Sequence, residues 1–138
     1  MANLETEISL LKYKMKLLMF FIDDNDEYPF FQFCLNYDIR EEQEKALIKI
    51  LGIYNYRYKG VENEFHKNGV LDNDLKGLLS SFNLKLEDLY VELIPTFQDF
   101  QKVVSSIFGT DTKADSLLGK LIKQSIHEEL CEYLLKNK

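Results

Sequence analysis

The apolar residues near the N-terminus repeat with the period of a coiled-coil seam, and this repeat constrains the fold more than any other feature. Six of them are spaced by 4, 3, 4, 3 and 4 positions: Leu4, Ile8, Leu11, Met15, Leu18 and Ile22. This spacing places them on one stripe of an α-helix. Leu10, Leu17, Phe20 and Phe21 widen the apolar surface beyond that stripe. The predicted helix therefore needs a partner, which is either the interior of its own bundle or a second subunit.

The stretch "DDNDEYPFF", residues 23–31, predicts a corner between this helix and the next. Pro29 suits the first position of a helix, where its missing N–H costs nothing. The predicted second helix runs from Pro29 to about Tyr37 and is apolar nearly all round. We therefore expect it to be buried on most sides.

Further helices follow with recognisable ends. Asp38 with Glu41 resembles a capping pattern for a third helix, which Gly60 ends. Asp72 is a candidate cap for a helix that reaches Phe82, and another helix runs from Leu86 until Pro95. Thr96 with Asp99 opens one more helix, which Gly109 closes. Residues 61–67 are the weakest part of this pattern, and Asn68-Gly69 is a turn signal.

The pattern as a whole predicts an all-α protein, folded as a compact bundle of six or seven helices. Residues 1–109 are expected to form the bundle core. Residues 110–138 are expected to form a C-terminal amphipathic helix that packs on the same domain. Strand-like alternation and internal repeats of 20 to 50 residues, which would indicate other architectures, are missing from the sequence.

The sequence offers no motif for a catalytic, metal or cofactor site. In "DDNDEYPFF" an EF-hand frame starting at Asp24 places Tyr28 and Phe30 at ligand positions and Pro29 where glycine is needed. Glycine-rich phosphate loops and nucleophile elbows are also missing from the sequence. We therefore predict a protein that is not an enzyme and that uses neither metal nor cofactor.

The cysteines and the apolar segments indicate the cytoplasm. Cys34 and Cys131 lie among apolar residues at helical spacing, as small core residues do in a reducing compartment. His127 with Cys131 shares a helix face and would form a conceivable dyad, but a buried Cys131 is the better interpretation. The apolar run from Leu17 to Ile22 is too short for a membrane span, and no cleavage site follows it.

Nucleic-acid binding is the alternative function. Tyr56, Arg57, Tyr58 and Lys59 interleave aromatic and basic side chains at the end of the third helix, as in some helical regulators of transcription. In that case Arg57 and Lys59 would contact the phosphates. The net charge of −6 and the pI near 5.0 disfavour both nucleic acid and membrane as partners.

Binding to another protein is the function that the sequence favours. The first 60 residues contain 11 of the 18 aromatic residues, and aromatic side chains supply much of the energy at interfaces. The alternative is that these rings fill the core of the bundle. We predict a homodimer that also binds an unidentified protein. The predicted partner-binding residues are Leu11, Leu18, Tyr28, Phe30, Phe31, Phe33 and Tyr37.

Residues 8 to about 108 resemble the small uncharacterised YhaI-like family of Bacillus and relatives. The resemblance rests on the first helix and its acidic spacer, on "YPFF" at 28–31, on "REEQEKAL" at 40–47 and on the leucine and phenylalanine pattern at 75–82. It implies an all-helical, dimeric, cytoplasmic protein with no assigned activity, and it supplies no site residues. Abundant Lys, Asn, Ile and Tyr suit an AT-rich Gram-positive genome or one of its phages.

Overall fold

The structure is a computed structural model that describes residues 2–23, 27–60, 73–89 and 94–138. Across these residues the chain is all-helical, with turns and caps between eight helices. The helices are α1 (Ala2–Asp23), α2 (Pro29–Asn36), α3 (Glu41–Lys59), α4 (Asn73–Ser80), α5 (Leu86–Leu89), α6 (Phe97–Phe108), α7 (Ala114–Lys123) and α8 (Glu128–Lys136). Residues 24–26, the predicted turn at Asn68-Gly69 and the predicted cap Asp72 lie outside the described residues.

Several helix ends follow the signals in the sequence. Pro29 is the first residue of α2, and Gly60 ends α3 in the left-handed conformation with φ 67°. In the capping box of α6, the Asp99 N–H donates to Thr96 Oγ1 over 3.1 Å and the Thr96 N–H donates to Asp99 Oδ2 over 3.0 Å. These bonds satisfy two donors that the first turn of a helix leaves free. Gly109 is the C-cap residue of the same helix, so both predicted ends of α6 are confirmed.

The start of α3 differs from the predicted cap. Asp38 lies in a left-handed turn with φ 53°, two positions before Arg40, which is the N-cap residue. The Arg40 N–H donates to Gln43 Oε1 over 2.8 Å. The same Gln43 side chain donates through Nε2 to the Ile107 carbonyl, 2.9 Å away, at the end of α6. Gln43 therefore satisfies the helix start and ties it to α6, and a contact to such a distant residue has no local signal in the sequence.

The hydrophobic core is built around α3. This helix packs against α4, α5, α6 and α8, while α7 packs against α2, α6 and α8. Six residues on the inward face of α3 are buried: Ala46, Leu47, Ile50, Leu51, Ile53 and Tyr54. Leu79, Phe100, Leu118 and Leu130 complete the same core from the other helices, and each is fully buried. Burial of this kind is the main favourable term in the stability of such a bundle.

The C-terminal segment contains two helices where the sequence predicts one. The chain leaves the helical conformation between α7 and α8, where Ser125 and His127 have φ values of 60° and 45°. The Ile126 N–H bonds back to the Leu121 carbonyl over 2.9 Å, which closes the turn. The turn lets α7 and α8 fold against each other, and it raises the described helix count above the predicted six or seven.

Candidate protein-interaction surface

Helix α1 carries its apolar residues on the surface of the molecule. Eight large apolar side chains of this helix are between 41% and 59% exposed: Leu4, Ile8, Leu10, Leu11, Tyr13, Met15, Leu17 and Leu18. Outside α1, the described residues expose only six more large apolar side chains. An exposed set as contiguous as this one is typical of a binding surface.

The α1 seam, defined as Leu4, Ile8, Leu11, Met15, Leu18 and Ile22, includes five of these exposed residues. The side chains of Phe20, Phe21 and Ile22 are outside the described part of the chain. The sequence left two possible partners for this seam: the interior of its own bundle or a second subunit. None of the five described seam residues belongs to the core cluster, so the interior of the bundle does not cover the seam. The two predicted binding residues of this helix, Leu11 and Leu18, are among the most exposed of the eight.

Helix α2 has one buried face, whereas the sequence predicted burial on most sides. Phe30 is 0% exposed and Phe33 is 6% exposed, and both belong to the hydrophobic core. Phe33 packs edge to face against Phe108 of α6, with ring centroids 5.7 Å apart. Phe30 and Phe33, which the sequence nominated as partner-binding residues, therefore face the interior and lie out of reach of a partner.

The opposite face of α2 presents an apolar stripe to solvent. This outer stripe of α2, defined as Tyr28, Phe31 and Leu35, has helical spacing of three and four positions. The rings of Tyr28 and Phe31 are stacked, with centroids 6.0 Å apart and planes 8° apart. The two rings therefore present adjoining aromatic faces to solvent, and aromatic side chains contribute strongly to binding energy at interfaces.

A glutamine from the far end of the chain holds α2 in this orientation. Gln124 Oε1, at the end of α7, accepts hydrogen bonds from the Phe30 N–H over 3.0 Å and from the Phe31 N–H over 3.2 Å. The N-cap residue Tyr28 makes no side-chain capping bond. Gln124, which lies at the end of α7, therefore acts as the N-terminal cap of α2. Sequence reasoning missed it because the residues that it serves are more than ninety positions away.

Tyr37, the last of the predicted binding residues, is 70% exposed and stands at the edge of a cavity of about 360 Å³. Its ring lies 5.2 Å from that of Phe33, measured between centroids. Lys113 and Lys120 also line the cavity. Lys120 Nζ donates to Ser116 Oγ over 2.9 Å. The cavity is shallow and mixed in character, so it extends the exposed surface near α2 rather than enclosing a ligand.

Arg57, a candidate contact for nucleic acid, is turned toward its own chain. Its Cζ lies 5.2 Å from the centroid of the Tyr54 ring, and its Nη1 donates to the Leu89 carbonyl over 3.3 Å. Burial lowers the pKa of Arg57 from its ordinary value. The guanidinium thus connects α3 with the end of α5, and this role explains its position without a phosphate.

Cys131 and His127 do not form an activated pair. The Cys131 thiol is fully buried and donates to the Ile126 carbonyl over 3.5 Å, and burial raises its pKa to about 12. A nucleophilic cysteine needs the opposite shift. Burial likewise raises the pKa of Cys34 to about 11. Among the described residues, no three His, Cys, Asp or Glu side chains come together as a metal site would require.

Comparison with known proteins gives no relative: no family model, no curated protein and no solved structure matches this chain. Of the helices described, none combines the length and the apolar character that crossing a membrane requires.

Proposed function

We propose that this protein is a non-catalytic protein-binding module that acts by binding to another protein in the cytoplasm. A stoichiometric regulator, an immunity factor or a phage-encoded inhibitor of a host protein would act in this way. The binding surface comprises the exposed face of α1, with Leu11 and Leu18, the outer stripe of α2, with Tyr28 and Phe31, and the exposed ring of Tyr37.

The observation that supports this function is the exposure of eight large apolar side chains on α1. Fully burying one such side chain is worth about 1.5–3 kcal/mol relative to leaving it exposed. A chain that exposes this many apolar side chains to water gains favourable free energy when a partner protein covers them. Nucleic-acid binding has less support, because Arg57 is committed to Tyr54 and Leu89 and the molecule is acidic.

A quantitative pull-down from a Gram-positive lysate tests the proposal. The baits are the wild-type chain, a double variant of α1 (Leu11→Glu with Leu18→Glu) and a double variant of the outer stripe of α2 (Tyr28→Ser with Phe31→Ser). Ile94→Ser is the matched control, because Ile94 is half exposed and lies outside the proposed surface.

We expect the wild-type chain and the Ile94→Ser control to retain the same protein in a near-stoichiometric amount, and one or both surface variants to lose it. The proposal is wrong if the wild-type bait recovers nothing beyond itself, or if all four baits recover the same proteins equally.

A further inference from the structure

The α1 seam has the residue pattern of a two-stranded parallel coiled coil. In heptad notation Ile8, Met15 and Ile22 occupy a positions, and Leu4, Leu11 and Leu18 occupy d positions. Two of the three a residues, Ile8 and Ile22, are β-branched and all three d residues are leucine, a combination that favours parallel dimers over higher oligomers. The 22 residues of α1 extend over about 33 Å, which accommodates nearly three heptads.

The charged residues beside the seam are complementary to those of a second copy in the same direction. Glu7 occupies a g position and Lys12 the following e position. In a parallel, in-register pair, each g residue faces the e residue five positions later on the other helix. Two symmetric pairs between Glu7 and Lys12 of opposite chains therefore flank the seam.

The antiparallel arrangement lacks this complementarity. If the same six seam residues pair in opposite directions, e positions face e positions and g positions face g positions. Lys12 then faces Lys12 of the second copy, and Lys14 faces Lys14. These contacts between like charges are destabilising. The charge pattern thus favours the parallel direction, with a second copy of the same helix as the partner.

We propose that α1 binds α1 of a second copy as a parallel, in-register coiled-coil dimer. This inference rests on the proposed function, since it names an occupant for part of the same surface. The dimer covers the seam and leaves Leu10 and Leu17, at c positions, outside it. Leu11 and Leu18 then contact the second copy, and a different protein binds the c-position face together with the outer stripe of α2.

Reciprocal charge reversal tests the geometry. In Glu7→Lys, and separately in Lys12→Glu, both flanking pairs become repulsive. In an equimolar mixture, the new lysine at position 7 faces the new glutamate at position 12, and the unchanged Glu7 of one chain faces the unchanged Lys12 of the other. Lys16→Glu is the matched control, because it reverses the same charge at a b position away from the seam.

Analytical ultracentrifugation of the full-length chains gives the dissociation constants, and circular dichroism verifies the fold. We expect a wild-type dimer, a dissociation constant raised roughly 10- to 50-fold in each single variant, and recovery in the mixture. The control should match the wild type.

Two outcomes overturn the proposal. A wild-type chain that stays monomeric at all concentrations excludes the dimer, and binding of that monomer to phosphatidylserine-containing vesicles would assign α1 to a lipid surface. A mixture that associates as weakly as its components excludes the parallel register. Either outcome leaves the pull-down result standing, whereas a dimer that captures no other protein overturns only the proposed function.

Discussion

Gln124 makes the clearest single-residue contribution to the candidate surface. Its carbonyl oxygen accepts from two backbone amides at the start of α2, and no capping side chain within α2 replaces it. We expect Gln124→Ala to lower the free energy of unfolding by about 0.5–2 kcal/mol, the usual cost of losing a helix cap. Urea denaturation followed by circular dichroism measures the change.

Gln124→Glu is the control for this prediction. It keeps an acceptor oxygen in the same place, and its negative charge is favoured by the dipole at the start of α2 but disfavoured by the dipole at the end of α7. We expect its stability to lie close to that of the wild type. Equal losses in both variants would mean that the two hydrogen bonds contribute nothing measurable.

His127 should make stability depend on pH. Burial, and then the charge of Lys59, lower the pKa of His127 from its ordinary value of 6.5. The unfolded chain therefore takes up this proton at higher pH than the folded chain does. The stabilisation from neutral His127 is complete above pH 6.5 and is lost as the pH falls through the lower pKa of the folded state.

His127→Asn isolates this effect. Asparagine tolerates the left-handed conformation of position 127 and does not titrate. We expect similar stability at pH 7.5 and a smaller loss than the wild type between pH 7 and pH 5. The difference between the two urea-derived profiles reports on His127 alone, because His66 is present in both chains. Identical profiles would contradict the prediction.

At the scale of single residues, two local signals in the sequence predicted helix starts correctly, and a third, Asp38 with Glu41, did not. Thr96 with Asp99 and the helix start at Pro29 are each specified within four positions. Gln43 and Gln124 act on backbone groups more than sixty and ninety positions away, respectively. Glutamine has no sequence signature for such contacts, so only the folded chain reveals them.

At the scale of elements, α1 is distinguished from the other helices by what it leaves uncovered. The double variant Leu11→Glu with Leu18→Glu removes two seam residues that the core does not use. We therefore expect the double variant to be monomeric. The bundle of each monomer should keep its helical content and the midpoint of its unfolding transition. Light scattering gives the mass and circular dichroism gives the helicity.

Unfolding of the whole chain in this variant would contradict that expectation. It would mean that the seam packs inside its own bundle in solution. This one variant therefore distinguishes an α1 seam that pairs with a second copy from a seam that packs inside its own bundle.

Among the described residues, helices lie where periodicity predicted them, whereas residues 61–67 and 90–93 of the predicted pattern lie outside that part of the chain. How these helices face solvent is not readable from periodicity alone. A helix with apolar residues on several sides can be buried, as α3 is on one face, or exposed, as α1 is. The break between α7 and α8 was also missed. Residues 124–127 contain neither glycine nor proline, and the apolar spacing continues across them.

At the scale of the whole molecule, stability should depend on the core around α3 and hardly on the exposed apolar residues. We expect Leu51→Ala to lower the free energy of unfolding by about 2–5 kcal/mol, because Leu51 is fully buried and its truncation leaves a cavity. Leu17→Ala is the matched control, and we expect it to change that free energy by less than about 0.5 kcal/mol. Urea denaturation at a concentration that populates one oligomeric state makes the comparison.

The all-α architecture of the described residues follows from the sequence because the apolar spacing of these residues is helical. The partition between core and surface does not follow, since it depends on which faces meet across long separations. Phe30 and Phe31 are neighbours in the sequence, yet the first is in the core and the second is in the outer stripe of α2.

The cap that Gln124 provides has a consequence for synthesis. Gln124 follows Phe30 by 94 positions, and ribosomes add about 5–20 residues per second. The start of α2 is therefore synthesised roughly 5–20 s before its acceptor exists. During that interval Phe30 also lacks α7, against which α2 packs. A nascent chain stalled before position 124 should expose this aromatic segment to chaperones, and emergence of residues 124–138 should end that exposure.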